Sequence, residues 1–124
     1  MLENEELSRT ILGAAIEVHR ELGPGLLESA YEECLCYELK RRKLAYERQV
    51  ELPVIYKGIP MNCNYRMDVV VENTVLLELK AVEQTLSVHE AQLLTYMKLS
   101  GYKLGLLINF NVPVLMKGVI RRVL

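Results

Sequence analysis

Residues 65–82 read YRMDVVVENTVLLELKAV: two apolar runs joined by a short polar break, with Asp68, Glu78 and Lys80 set inside them. The β-branched and leucine-rich composition on either side of Glu72-Asn73-Thr74 predicts a pair of antiparallel strands, 63–72 and 74–82. Side chains alternate faces along a strand, so Glu78 and Lys80 share one face while Leu77 and Leu79 share the other. Reversal of the chain across residues 72–74 brings Asp68 opposite residues 77–79, and the length of the loop decides which. A three-residue loop puts it opposite Glu78, at a Cβ separation of roughly 4.5–5.5 Å. Two carboxylates so placed destabilise a sheet, and one must take up a proton unless a cation lies between them.

Lys80 supplies a single positive charge. A divalent metal held by the two carboxylates, a backbone carbonyl and waters satisfies both acids with hard oxygen ligands, which points to Mg²⁺ or Mn²⁺. Spacing alone leaves a second reading open: Asp68 and Glu78 on the solvated face of an antiparallel sheet, with Lys80 pairing across it.

The rest of the chain supplies the layers for such a sheet. Leu7, Ile11, Leu12, Ala15, Ile16, Val18 and Leu22 follow helical spacing up to Gly23-Pro24-Gly25, a helix-helix turn. A second amphipathic helix is expected over about 26–43, with Leu27, Ala30, Tyr31, Leu35 and Leu39 on one face and a basic run, Lys40 to Lys43, at its C-terminal end. The alternating stretch ERQVELPVIYKG reads as one strand ahead of the pair at 63–82. Ser87 with Glu90 makes a capping-box signature for a third helix, and Gly101 is its expected C-cap. KLGLLINF reads as a buried strand and KGVIRRVL as an edge strand. The order is α-α-β-β-β-α-β-β, a mixed α/β layer fold in which residues 1–124 form a single domain.

Composition limits the function classes. A net charge of -1 gives no global field toward nucleic acid, so contact with phosphates must use a local patch. An apolar content of 51% is rich for so small a chain and predicts a homodimer interface. Three cysteines fit neither a disulfide framework nor a zinc knuckle, and a reducing cytoplasm suits them. Acidic residues at positions 3, 5 and 6 do not open a secretory leader, and LGLLINFNVPVLM is too short to span a bilayer, so no membrane role is expected. His19 and His89 lack partners at zinc-ligand spacing. The basic run at 40–43 with Arg48 could hold phosphates or form a solvated helix end, whereas Arg66, two residues before Asp68 on its strand face, is better placed; Tyr65 is expected on the opposite face.

Asp68, followed after nine residues by Glu78-Leu79-Lys80, resembles the D…(D/E)-x-K core of the PD-(D/E)XK nuclease superfamily, with Met67 in place of its proline. Gly25-x-x-Glu28-x-x-Tyr31 is similar to the signature of the GxxExxY proteins, a small prokaryotic family of that superfamily. The resemblance implies a restriction-endonuclease-like core, a mixed β-sheet flanked by helices. It also implies a metal-dependent phosphodiesterase site cleaving DNA in preference to RNA. Asp68, Glu78 and the Leu79 carbonyl would ligate Mg²⁺ or Mn²⁺, Lys80 would position or activate water, and Glu28 would join through water. Gln92 and Tyr96, at i and i+4 on one helix face, resemble the Gln-x-x-x-Tyr that borders the site in RecB-like members, with Tyr31 a further bordering residue and Arg66 a substrate contact. The alternative implied by the fold is an inactive module that binds nucleic acid or a protein partner. It fits less well with three intact charges whose retention costs stability.

Overall fold

A computed structural model describes residues 2–124. Helix α1 (Leu2–Leu22) and helix α2 (Glu28–Arg41) are separated by a turn in which Gly23 and Gly25 hold positive φ, 67° and 106°, a conformation open to glycine without a Cβ penalty. The strands are β1 (Tyr46–Leu52), β2 (Ile55–Tyr56), β3 (Ile59–Pro60), β4 (Tyr65–Val71), β5 (Val75–Lys80), β6 (Leu104–Asn109) and β7 (Val119–Val123), and helix α3 (Ser87–Ser100) connects β5 to β6. A short 3-10 turn, Leu115–Gly118, precedes β7.

Five strands form one sheet in the order β1-β4-β5-β6-β7. All neighbours are antiparallel except β5 and β6, whose parallel pairing needs the α3 crossover. This is the mixed α/β, restriction-endonuclease-like architecture expected from the sequence. Helices α1 and α2 cover one face, where Ile11, Leu35 and Leu39 meet Val69, Leu77 and Leu106. Helix α3 covers the other, with Leu93, Tyr96 and Met97 against Val70, Leu76 and Leu107. Strands β5 and β6, buried on both faces, are accordingly apolar throughout apart from Glu78, Lys80 and Asn109. Among the described residues no helix is long and apolar enough to cross a membrane.

Two local expectations are corrected. ERQVELPVIYKG is not one strand: β1 ends at Leu52, and β2 with β3 makes a separate hairpin turned by Lys57 and Gly58, both at positive φ (51° and 80°), as a tight two-residue turn demands. Helix α3 is capped at Leu86, not Ser87. The Leu86 N–H donates to His89 Nδ1 (3.0 Å) and the His89 N–H donates to the Leu86 carbonyl (3.0 Å), while Glu90 pairs with Arg122 of β7. The Gly101 C-cap is as expected, left-handed at φ 86°.

Candidate active site

The loop between β4 and β5 has three residues, since Val71 pairs with Val75, Val70 with Leu76 and Val69 with Leu77. Continued by one step, this register sets Asp68 opposite Glu78. The regular ladder stops there, and side chains take over from the backbone. The Asp68 N–H donates to Glu78 Oε2 (3.0 Å), and the Leu79 N–H donates to Asp68 Oδ2 (2.8 Å). Each carboxylate is thus anchored by an amide of the other's strand. Asp68 Oδ1 and Glu78 Oε1 take no hydrogen bond, and neither is sealed from solvent, Ser8 Oγ being the buried unpaired side-chain oxygen among the described residues.

The pairing of β4 with β1 lapses at the same level. Val50–Met67 and Arg48–Val69 are paired, but Gln49, at φ 50°, and Asp68 between them are not. The faces exchange at this break: Tyr46 and Val71 pack toward α1 and α2, whereas Val50, Leu52 and Met67 pack toward α3. Simple alternation from Asp68 therefore fails. Tyr65, expected on the far face, has its ring edge-on to Tyr96 at 6.1 Å between centroids, while Arg66 is exposed and its guanidinium donates to the Gln49 carbonyl (3.3 Å).

Burial sets the electrostatics. Glu78 is only 4% exposed, and desolvation, with the Asp68 charge next, pushes its carboxyl up to about 8 against the opposing effect of the Asp68 amide and Lys80. Asp68 is likewise raised, first by burial, with Glu32 and Glu28 adding to it and the Leu79 amide and Lys80 working against it. The pair favours one shared proton or a cation near neutral pH, because the buried Glu78 and the half-buried Asp68 oppose each other's ionisation.

Lys80 is half-buried, and its ammonium has no ion pair within 4.0 Å among the described residues, so its charge is left facing the acids. Its strand end is clamped: the Lys80 carbonyl accepts the Phe110 N–H (2.9 Å), and the buried Asn109 amide both donates to the Val82 carbonyl (2.9 Å) and accepts the Val82 N–H (3.1 Å).

From residue 5 to residue 123 the sequence matches the family model of the PD-(D/E)XK nuclease superfamily. The chain belongs to that superfamily. No curated protein and no solved structure matches it significantly.

Nucleases of the PD-(D/E)XK superfamily generally use divalent metals, and the donor chemistry here fits such an ion. Two apposed hard-oxygen donors each keep one free oxygen, and both are desolvated in a way that a cation relieves. No group of three His, Cys, Asp or Glu side chains is gathered at ligating distance among the described residues. The remaining positions would fall to the Leu79 carbonyl and water.

The Gly25-x-x-Glu28-x-x-Tyr31 stretch, which runs into the first turn of α2, and the Gln92–Tyr96 pair of α3 take separate tasks. Glu28 is exposed in the first turn, where a carboxylate suits the helix dipole, and its charge reaches both Asp68 and Glu78. Tyr31 is fully buried and stacked on Phe110, with 4.5 Å between centroids. Its hydroxyl donates to the Gly23 carbonyl (2.6 Å) and accepts the Leu26 N–H (3.2 Å), so it fixes the turn that delivers Glu28. Gln92 donates to the Tyr96 hydroxyl (3.0 Å), and the charges of Glu78 and Asp68 hold the Tyr96 phenol above its ordinary range after the larger effect of burial, which sets this pair beside the acids.

Sequence reasoning missed Glu32, Gln49 and Asn109, and weighed Arg48 only as a phosphate contact or part of a solvated helix end, whereas its guanidinium is paired with acids of α2. Glu32 is 8% exposed and accepts from Arg48 Nε (3.0 Å) and from Gln49 Nε2 (2.8 Å), while Arg48 also pairs with Glu33 (2.6 Å). This network grips Gln49, the residue facing Asp68 across the break. Its one sequence signal is the Glu28-x-x-x-Glu32 spacing, which puts two acids on one helix face.

Proposed function

We propose that the protein is a Mg²⁺- or Mn²⁺-dependent nuclease that hydrolyses phosphodiester bonds of DNA, in preference to RNA. The observation that carries this reading is the interlocked pair: Asp68 and Glu78 each spend one oxygen on the opposite strand's amide and keep one free. Asp68, Glu78 and the Leu79 carbonyl would hold the ion. When bound, the ion supplies charge neutralisation at the scissile phosphate and a more acidic water. Lys80 orients that water and offsets the negative charge that develops as the oxygen–phosphorus bond forms and the bond to the leaving oxygen breaks. Glu28 contacts the site through water. Gln92 and Tyr96 border it, Tyr31 holds the turn before Glu28, and Arg66, exposed near Gln49, meets a substrate phosphate.

The finer assignment to the GxxExxY proteins is supported by the distinct tasks of Gly25, Glu28 and Tyr31. A cytoplasmic homodimer, with 1–124 acting as one nuclease domain, completes the proposal; exposed Met116 and Val123 on the segment ending in edge strand β7 support the dimer. The decisive experiment incubates the protein with linear, supercoiled and branched DNA and with RNA, with and without Mn²⁺, beside Asp68→Ala and Lys80→Ala. Metal-dependent cleavage lost in both variants is expected. Cleavage that survives either substitution refutes the assignment.

A further inference from the structure

The β2–β3 hairpin stands off the sheet with apolar side chains exposed on both of its faces. Tyr56 and Ile59 form one cross-strand pair and Ile55 and Pro60 the next, and Ile55, Tyr56 and Ile59 are 52%, 59% and 58% exposed. A two-stranded hairpin is marginal in water by itself, and bare isoleucine and tyrosine at its tip gain nothing from folding. Lys57 lies over the Tyr56 ring at 5.4 Å from its centroid, which leaves the other ring face free. No acidic residue occurs between Glu51 and Asp68, whereas Lys57 and Arg66 do.

The hairpin is inserted between the strands that make the break at the site. Leu52 pairs with Tyr65 at its base, and Tyr65 is three residues before Asp68, roughly 10 Å along an extended strand. Tyr65 is itself 48% exposed and meets Tyr96 beside the acids. Aromatic faces, a cation at the tip, Arg66 on the way in and the carboxylates at the end thus follow one another along β2, β3 and β4.

We infer that the hairpin is a stacking platform for unpaired bases, and that the substrate of the Asp68–Glu78 site is nucleic acid with a single-stranded segment. This rests on the nuclease reading above. Bases within a duplex hide their faces, so an exposed tyrosine at a hairpin tip recognises a strand whose bases are free, while Lys57 and Arg66 take its phosphates. A second copy of the chain fits less well. Three side chains offer a few hundred Å², short of the roughly 800 Å² per partner of a stable interface.

The test is run in EDTA, so that no strand is cut. A dye-labelled oligothymidylate of about 20 nucleotides, and a duplex of equal length, are titrated with the full chain by fluorescence anisotropy. The single strand is expected to bind about tenfold or more tightly than the duplex. Tyr56→Ala should weaken it by about tenfold, whereas Tyr56→Phe, which keeps the ring, should stay within about twofold. Wild-type affinity in Tyr56→Ala overturns the proposal. So does a hairpin variant that turns a dimer into monomers in sedimentation while its affinity is unchanged, because the occupant is then a second copy. Hairpin-dependent binding without Mn²⁺-dependent cleavage supports the platform and refutes the nuclease reading alone.

Discussion

Replacing Glu78 with Gln keeps the shape of the side chain and its acceptor for the Asp68 N–H, but removes the proton that the buried pair must carry. In the metal-free protein Glu78 is raised from the ordinary carboxylate range near 4.5 to about 8, by burial first and then by Asp68. A carboxyl that holds its proton more tightly folded than unfolded contributes stability that is fully present below about 4.5 and is lost as the pH rises through about 8. The loss is at most about 1.4 kcal/mol per pH unit across that window, on the order of 4 kcal/mol in all. Asp68, raised for the same first cause, adds to it in the same direction. Urea unfolding followed by circular dichroism in EDTA should show wild type weakening steadily between pH 5 and pH 8 and Glu78→Gln weakening much less. At pH 8 the variant should be the more stable protein by ~2–4 kcal/mol. Excess Mn²⁺ should flatten the wild-type slope, because the cation replaces the proton, and should do little for the variant. Parallel pH profiles for the two proteins, or a variant less stable than wild type at pH 8, refute the account of the pair.

Three further outcomes follow from the same geometry. Asp68→Ala should abolish the calorimetric heat of Mn²⁺ binding, whereas Lys80→Met should keep the heat and lose cleavage by roughly 100-fold or more, since Lys80 acts on the water and not on the ion. Tyr31→Phe removes both hydroxyl bonds to the Gly23–Leu26 turn and should lower the unfolding free energy by about 1–2 kcal/mol in chemical denaturation. Glu32→Ala leaves Gln49 and most of the Arg48 guanidinium without their buried acceptor, and should cost about 2 kcal/mol while weakening Mn²⁺ binding, an effect that an exposed control, Glu33→Ala, should not reproduce.

The helices, the three-residue loop among its alternatives, and the apposition of Asp68 with Glu78 were legible because they depend on local periodicity. Alternation around Glu78 and Lys80 brings Asp68 opposite residues 77–79, and the three-residue count through Glu72-Asn73-Thr74 selects Glu78. The exchange of faces at Gln49 was not legible. Glutamine is an ordinary strand residue, and nothing in ERQVEL marks one position for positive φ; that conformation is held by Glu32, seventeen residues away. Tyr65 lies beside Tyr96, and not on the face that simple alternation from Asp68 gives it, for this reason. The hairpin at 55–60 did carry a signal, a lysine-glycine turn between short apolar pairs, but the alternation of the preceding strand ran on through it and masked the break at Pro53.

The break in the ladder also explains how two acids set into the sheet, one buried and one half-buried, can be rigid and still available. In an unbroken sheet the amides of Asp68 and Leu79 would bond to carbonyls, and the carboxylates would need other donors or water to fix them. Here the strands part at one level, on the β5 side at Asp68 and on the β1 side at Gln49, and the released amides anchor the acids through one oxygen each. A non-glycine residue at positive φ costs about 1 kcal/mol or more, and the Glu32–Arg48–Gln49 network holds it in place from α2. The second helix therefore contributes to the site twice: Glu28 through its charge, and Glu32 by holding Gln49 at the β1–β4 break, on the side of Asp68 away from Glu78.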